Sequence, residues 1–234
     1  MKNVSFLVIF FSFVSFGQTK FNLKTQFEEI NISKLSPNDL SKLNRSRESF
    51  EVKVSGRKLV INEKIRRNVS ELKIKGGVLK GLNNGEWGGK LSFISNTNRK
   101  SELLIKEGNI KFLFLFKKRI FFIEGLAHLG SSYGALFELK KARNKFYFKK
   151  VLDFDDAPEA FAIYEDKIYI ASHKNFYQIN DFKKKLVFQN TFWNNLYPNS
   201  LVIFDENNIF MGIRSGVVKL DVQTKKTKFF KFIK

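Results

Sequence analysis

A chain of 234 residues with a net charge of +20 and no cysteine excludes disulfides, thiolate metal sites, cysteine nucleophiles and a lipid-modified cysteine anchor. Its length suffices for one all-β domain, which often runs to about 200–250 residues as a single unit, and its 28 phenylalanines favour strands. The charge suits anionic partners, yet most lysines alternate with apolar residues, as in Glu71–Gly76 (ELKIKG), the pattern of a solvated strand face.

The first seventeen residues carry a basic Lys2, an apolar stretch from Val4 to Val14, and small residues ahead of Gln18. They are expected to be a secretory signal peptide, too short to span a bilayer as a stable helix. The expected division is 1–17 signal peptide, 18–49 N-terminal segment, and 50–234 one β domain that is periplasmic or extracellular. Within the N-terminal segment, Ser36 is placed to cap a short helix with Pro37 in its first turn and Leu40 and Leu43 on one face. From Phe50 onward short alternating runs follow one another, joined by tight polar turns such as Lys117-Lys118, Glu165-Asp166 and Asp205–Asn208, as hairpins require.

These runs repeat. Pro158 and Pro198 stand forty residues apart. After a one-residue insertion Ile168 matches Ile209, Ala171 matches Gly212, Asn175 matches Gly216 and Ile179 matches Leu220. Asn175 and Gly216 are expected to turn through a left-handed backbone. Ala135–Lys141 and Gly89–Ser95 occupy the same phase in two earlier units. Four units of about forty residues, each with four short strands, resemble the blades of β-propellers of the general WD40/YVTN-like sort. The likeness is architectural and covers about residues 57–231. The Gly-His and Trp-Asp dipeptides of WD40 repeats, the kelch double glycine and the sialidase Asp-box are missing. It implies a small all-β propeller of four to five four-stranded blades, in which the strands from Phe50 to Lys75 form a fifth blade or close one by pairing with the C-terminal strand. The competing architecture is a β-sandwich.

Strand alternation places functional residues. In a blade a-b-c-d, the loop into strand a and the b–c loop emerge on one side. The b–c loops are Gly81–Leu91 and Gly125–Leu136, both extended, and Ala171–Asn175 and Gly212–Gly216, both short; the entry loops are Asp153–Ala160 and Phe192–Ser200. Glu86, Trp87, His128, Tyr133, Asp155, Asp156, Glu159, His173, Trp193, Tyr197, Asn199 and Arg214 should therefore gather around one mouth, and binding residues concentrate on such loops. Trp193, flanked by Phe192 and Leu196, also suits packing. All of these except Trp193 are candidate ligand-binding residues; no catalytic, metal or cofactor site is assigned. The acidic Asp153–Ala160 loop lacks a calcium-loop pattern, and phosphate-binding, nucleophile-elbow and zincin motifs are missing.

Three functions remain open. The first is an exported binding or interaction protein that recognises a polysaccharide, peptide or partner protein across the mouth. The second is a hydrolase or lyase using Glu86, His128 and the Asp155/Asp156 pair. The third is a scaffold whose lysines adhere to anionic envelope polymers. The expected partners are an anionic polymer, a glycan or a protein, with no specific nucleic acid and no transmembrane segment; the oligomeric state is open.

Overall fold

The computed structural model describes residues 26–64, 67–97, 101–143 and 145–233; the expected signal peptide lies outside them. Strand β1 (Phe27–Ile30) and helix α1 (Pro37–Arg45) precede a hairpin of β2 (Phe50–Ser55) and β3 (Lys58–Glu63). Four units of four strands follow. The first is β4 (Val69–Ile74), β5 (Gly77–Asn83), β6 (Gly89–Ser95) and β7 (Glu102–Glu107); the second is β8 (Ile110–Phe116), β9 (Arg119–His128), β10 (Ser131–Ala142) and β11 (Lys145–Phe154). The third is β12 (Pro158–Tyr164), β13 (Lys167–Ser172), β14 (Phe176–Asn180) and β15 (Lys183–Phe188); the fourth is β16 (Ser200–Asp205), β17 (Asn208–Ile213), β18 (Gly216–Asp221) and β19 (Lys226–Phe232). Each is an antiparallel sheet in simple sequence order. The fold is all-β and propeller-like, with one short α-helix near its start.

The second strand of each later unit explains the stacking. In β13, Ile168 and Ile170 enter the layer shared with the second unit, while Tyr169 and Ala171 enter the layer shared with the fourth. In β17, Ile209, Met211 and Ile213 face the third unit and Phe210 faces the β2–β3 hairpin. In β9, Phe121 and Ile123 face forward and Phe122 faces back. A strand buried on both faces reads as an unbroken apolar run, as "RIFFI", "KIYIA" and "NIFMG" do. Each fully buried ring among these residues contributes about 2 kcal/mol or more by leaving water. The hairpin packs on β16, β17 and β18, so it stands beside the fourth unit in space although it precedes the first in sequence. It is a fifth unit of two strands, which among the described residues pairs with no C-terminal strand. Among the described residues no buried apolar cluster joins it to the first unit.

Three details differ from expectation. Strand β1 pairs with β19, Phe27 opposite Phe232, and makes the fourth sheet five-stranded; its four residues are too short a run to stand out by alternation. The expected b–c loop over Gly125–Leu136 is mostly strand, with its turn at Leu129-Gly130. Its glycines answer a close approach: a Cβ on Gly134 would lie 2.1 Å, and one on Gly125 2.8 Å, from Cδ of Pro158. Asn175 and Gly216 do not adopt left-handed backbones; Ser215 does, at φ +66°. Gly216 is small because a Cβ there would meet the Phe230 carbonyl at 2.2 Å.

Helix α1 starts as its sequence dictates. The Ser36 hydroxyl accepts the Asp39 N–H at 3.1 Å, and the Asp39 carboxylate accepts the Ser36 N–H at 3.1 Å, satisfying two otherwise orphaned donors. The Ser36 hydroxyl, donating to the same carboxylate at 2.6 Å, and after it the Ser36 N–H hold the Asp39 carboxyl below its usual range. Among the described residues no helix is long and apolar enough to cross a membrane.

Candidate functional site: a cleft at the hub opening

Backbone hydrogen bonds build the mouth by tying b–c turns to entry loops, within the third and fourth units and from the fourth unit to the hairpin. His173 N donates to Ala157 O at 2.8 Å, Arg214 N to Leu196 O at 2.7 Å, and Ser215 N to Glu48 O at 3.0 Å. Side chains add to the weave: Asn109 Nδ2 donates to Gly85 O at 2.8 Å and Ala157 N to Ser132 Oγ at 2.9 Å. Loops fixed in this way can present side chains in set positions.

The resulting cleft has a volume of about 900 Å³ and draws its lining from every four-stranded unit. The entry to the first unit supplies Lys64, Arg67 and Asn68, and its β5–β6 connection supplies Asn83, Asn84, Gly85 and Trp87. The second unit supplies Lys111, Leu126 and Ala127, the third Glu159, and the entry to the fourth Tyr197. A second cavity of about 390 Å³ shares Ala127 and Tyr197 with it and extends past His128, Ser131, Ser132, His173, Lys174, Asn194 and Asn195. The two cavities adjoin at Ala127 and Tyr197.

Trp87 is 82% exposed. It ends the 3-10 turn Gly85–Trp87, and in the same turn the Glu86 carboxylate lies 3.0 Å from His128 Nε2. Tyr197 is 41% exposed and held at φ +53°. The Arg214 guanidinium lies 4.5 Å from its ring centroid and His173 meets the ring edge-on at 6.0 Å. Glu159 pairs with Lys111 at 2.7 Å, both largely enclosed. Tyr133 is half exposed on β10, opposite Leu126 of the cleft wall.

Other candidates serve the scaffold. Asp156 is fully buried, accepting the Lys174 N–H at 2.7 Å and hydrogen bonds from Asn175 Nδ2 and the Tyr177 hydroxyl, both at 3.0 Å. Burial first and Asp156 second push the Tyr177 phenol up, which keeps it a donor to that carboxylate. Asp155 turns to Lys184 at 3.1 Å, whose hydrogen bond holds its carboxyl below the usual range. The Asp155/Asp156 pair thus provides no exposed acid–base couple. Arg214 turns Nη1 to helix α1, donating to the Asn44 carbonyl and, at 2.9 Å, to Asn44 Oδ1. Asn199 bonds Ser49 and Ser200. Trp193 is fully buried, with Nε1 donating to Ser172 O at 3.4 Å.

Sequence reasoning passed over Lys64, Arg67, Asn68, Asn83, Asn84 and Lys111. Lys111 reads as the solvated face of a strand, and Arg67 and Asn68 precede β4 in a stretch not assigned to a unit. Treating that stretch as one more entry loop would have placed both at the mouth.

No protein-family model matches the chain, and no curated protein shows significant similarity to it. Solved structures do. The luciferin-regenerating enzyme matches with a TM-score of 0.48 and 13% identity, over 75% of this chain and 66% of its own. The β-propeller domain of Cps50 (Swd1) from Myceliophteria thermophila matches at 0.41 and 9%, over 79% and 64%. The computationally designed Ika8 protein matches at 0.41 and 10%, over 70% of this chain and 45% of that one, so the chain spans under half of that design's length. The fold assignment rests on the sheet topology described above.

Proposed function

We propose that this is an exported binding protein whose propeller-like scaffold captures its ligand in the hub cleft. The observation that carries the reading is the cleft itself. A solvent-exposed indole and phenol, two amide-bearing loops and several cations converge on about 900 Å³, within the usual size range of ligand sites. A tryptophan left 82% exposed forgoes the burial expected of so large a ring, and with Tyr197 it gives the cleft two solvent-facing rings. The expected leader at residues 1–17 supports export.

The test is to probe carbohydrate and peptide arrays with residues 18–234 and with the variants Trp87→Ala and Tyr197→Ala. Binding through the cleft is expected to fall about tenfold or more in each variant, the effect of truncating one aromatic anchor. A melting temperature unchanged in Trp87→Ala separates lost contact from lost fold. Equal retention by all three proteins, with collapse at high salt, would instead establish adhesion through surface lysines and sink the cleft.

A further inference from the structure

We infer that the occupant of the hub cleft is an acidic oligosaccharide chain, an inference that rests on the cleft being the binding site. Charge comes first. Lys64, Arg67 and Lys111 line the cleft against the single carboxylate of Glu159, and that carboxylate is already committed to Lys111 at 2.7 Å. Among the described residues no carboxylate lies within ion-pair distance of the exposed Arg67. A planar guanidinium open to solvent suits bidentate capture of a carboxylate or sulfate.

Hydrogen-bonding capacity comes second. Asn83 Oδ1 accepts the Gly85 N–H at 3.1 Å and Asn84 Oδ1 accepts from Asn68 Nδ2 at 3.2 Å. The Nδ2 groups of Asn83 and Asn84 donate to no acceptor among the described residues. Side-chain amides of this kind both give and accept, matching hydroxyls, which do the same. The adjoining cavity is lined by Ser131, Ser132, Lys174, Asn194 and Asn195 among others, again amides and a cation with hydroxyls beside them.

Shape comes third. Two adjoining cavities that share Ala127 and Tyr197 suit a chain of rings better than one compact molecule, with the Trp87 and Tyr197 rings as flat apolar platforms. An extended peptide would call for sheet-edge pairing or deep apolar side-chain pockets, and this lining is mainly amides and charges. A single-stranded nucleic acid would call for successive stacking rings along a basic groove.

Calorimetry on residues 18–234 tests the assignment with three acidic hexasaccharides (of galacturonate, guluronate and hyaluronan), with maltohexaose as the uncharged control and a short oligothymidylate as the competing polyanion. At least one acidic hexasaccharide is expected to bind about tenfold or more tighter than maltohexaose. Arg67→Ala should remove about tenfold, a typical single charge-assisted contact, and so should Trp87→Ala. Arg67→Lys, which keeps charge but loses the fork, should restore part of the first loss. Maltohexaose binding as tightly as the acids, tighter oligothymidylate binding, or no binding of any acidic hexasaccharide overturns the acidic-glycan assignment. In those cases the array test with Trp87→Ala still decides the cleft independently. Acid binding that ignores both Arg67→Ala and Trp87→Ala overturns both ideas together.

Discussion

Glu138 shows how one residue can make stability depend on pH. Its side chain is 2% exposed, yet Lys149 and Lys140 approach to 3.5 and 3.7 Å. Arg119 grips it with both nitrogens of a fork, Nε at 2.8 Å, and that hydrogen bonding holds its carboxyl at about 2. A folded value below the unfolded one of 4.5 gives stabilisation that is full above pH 4.5 and is lost as pH falls toward 2. Glu138→Gln is expected to cost about 1 kcal/mol at neutral pH, because the Arg119 side chain is 41% exposed, so water screens the charge it leaves unpaired. The melting temperature of the variant should also fall less steeply between pH 5 and pH 2; parallel acid profiles for the two proteins would refute the assignment. Little of this residue-level detail was legible beforehand. "DFDDAPEA" names four acids but not which one is fully buried, since Asp156 is selected by Asn175 and Tyr177 from another strand pair.

At the scale of elements, tight turns carry strain that their sequences do not advertise. Lys117 and Lys118 join β8 to β9 with φ of +46° and +60°, the left-handed pair of a type I′ turn for which Asn-Gly is preferred. Lys118→Gly should raise stability by about 0.5–1 kcal/mol, the left-handed penalty removed less the added unfolded-state freedom, or about 2 °C for a domain of this size. A lower melting temperature would mean that Lys118 makes a contact outweighing its backbone. The opposite reading applies at Gly125 and Gly134. There glycine looked like loop punctuation but marks Pro158 of the next unit pressing on the sheet. Helix α1 was legible because Ser36 and Pro37 act locally. Strand β1 was not, because its partner lies at the far end of the chain.

Across the whole molecule, the forty-residue rhythm was readable because each unit buries the same phase of its second and third strands against its neighbours. The two-strand fifth unit was only half readable, since β2 and β3 have the right alternation but no following pair. Export belongs to this scale too. Protein recovered outside the cytoplasm is expected to begin at Gln18 by N-terminal mass analysis; an intact Met1 start on cytoplasmic protein would refute export.

The clasp between β1 and β19 has a consequence in time. Phe27 can meet Phe232 only after nearly the entire polypeptide has been made, and such a distant closure is slow compared with forming each local hairpin. The last sheet therefore stays incomplete until the C-terminal strand arrives.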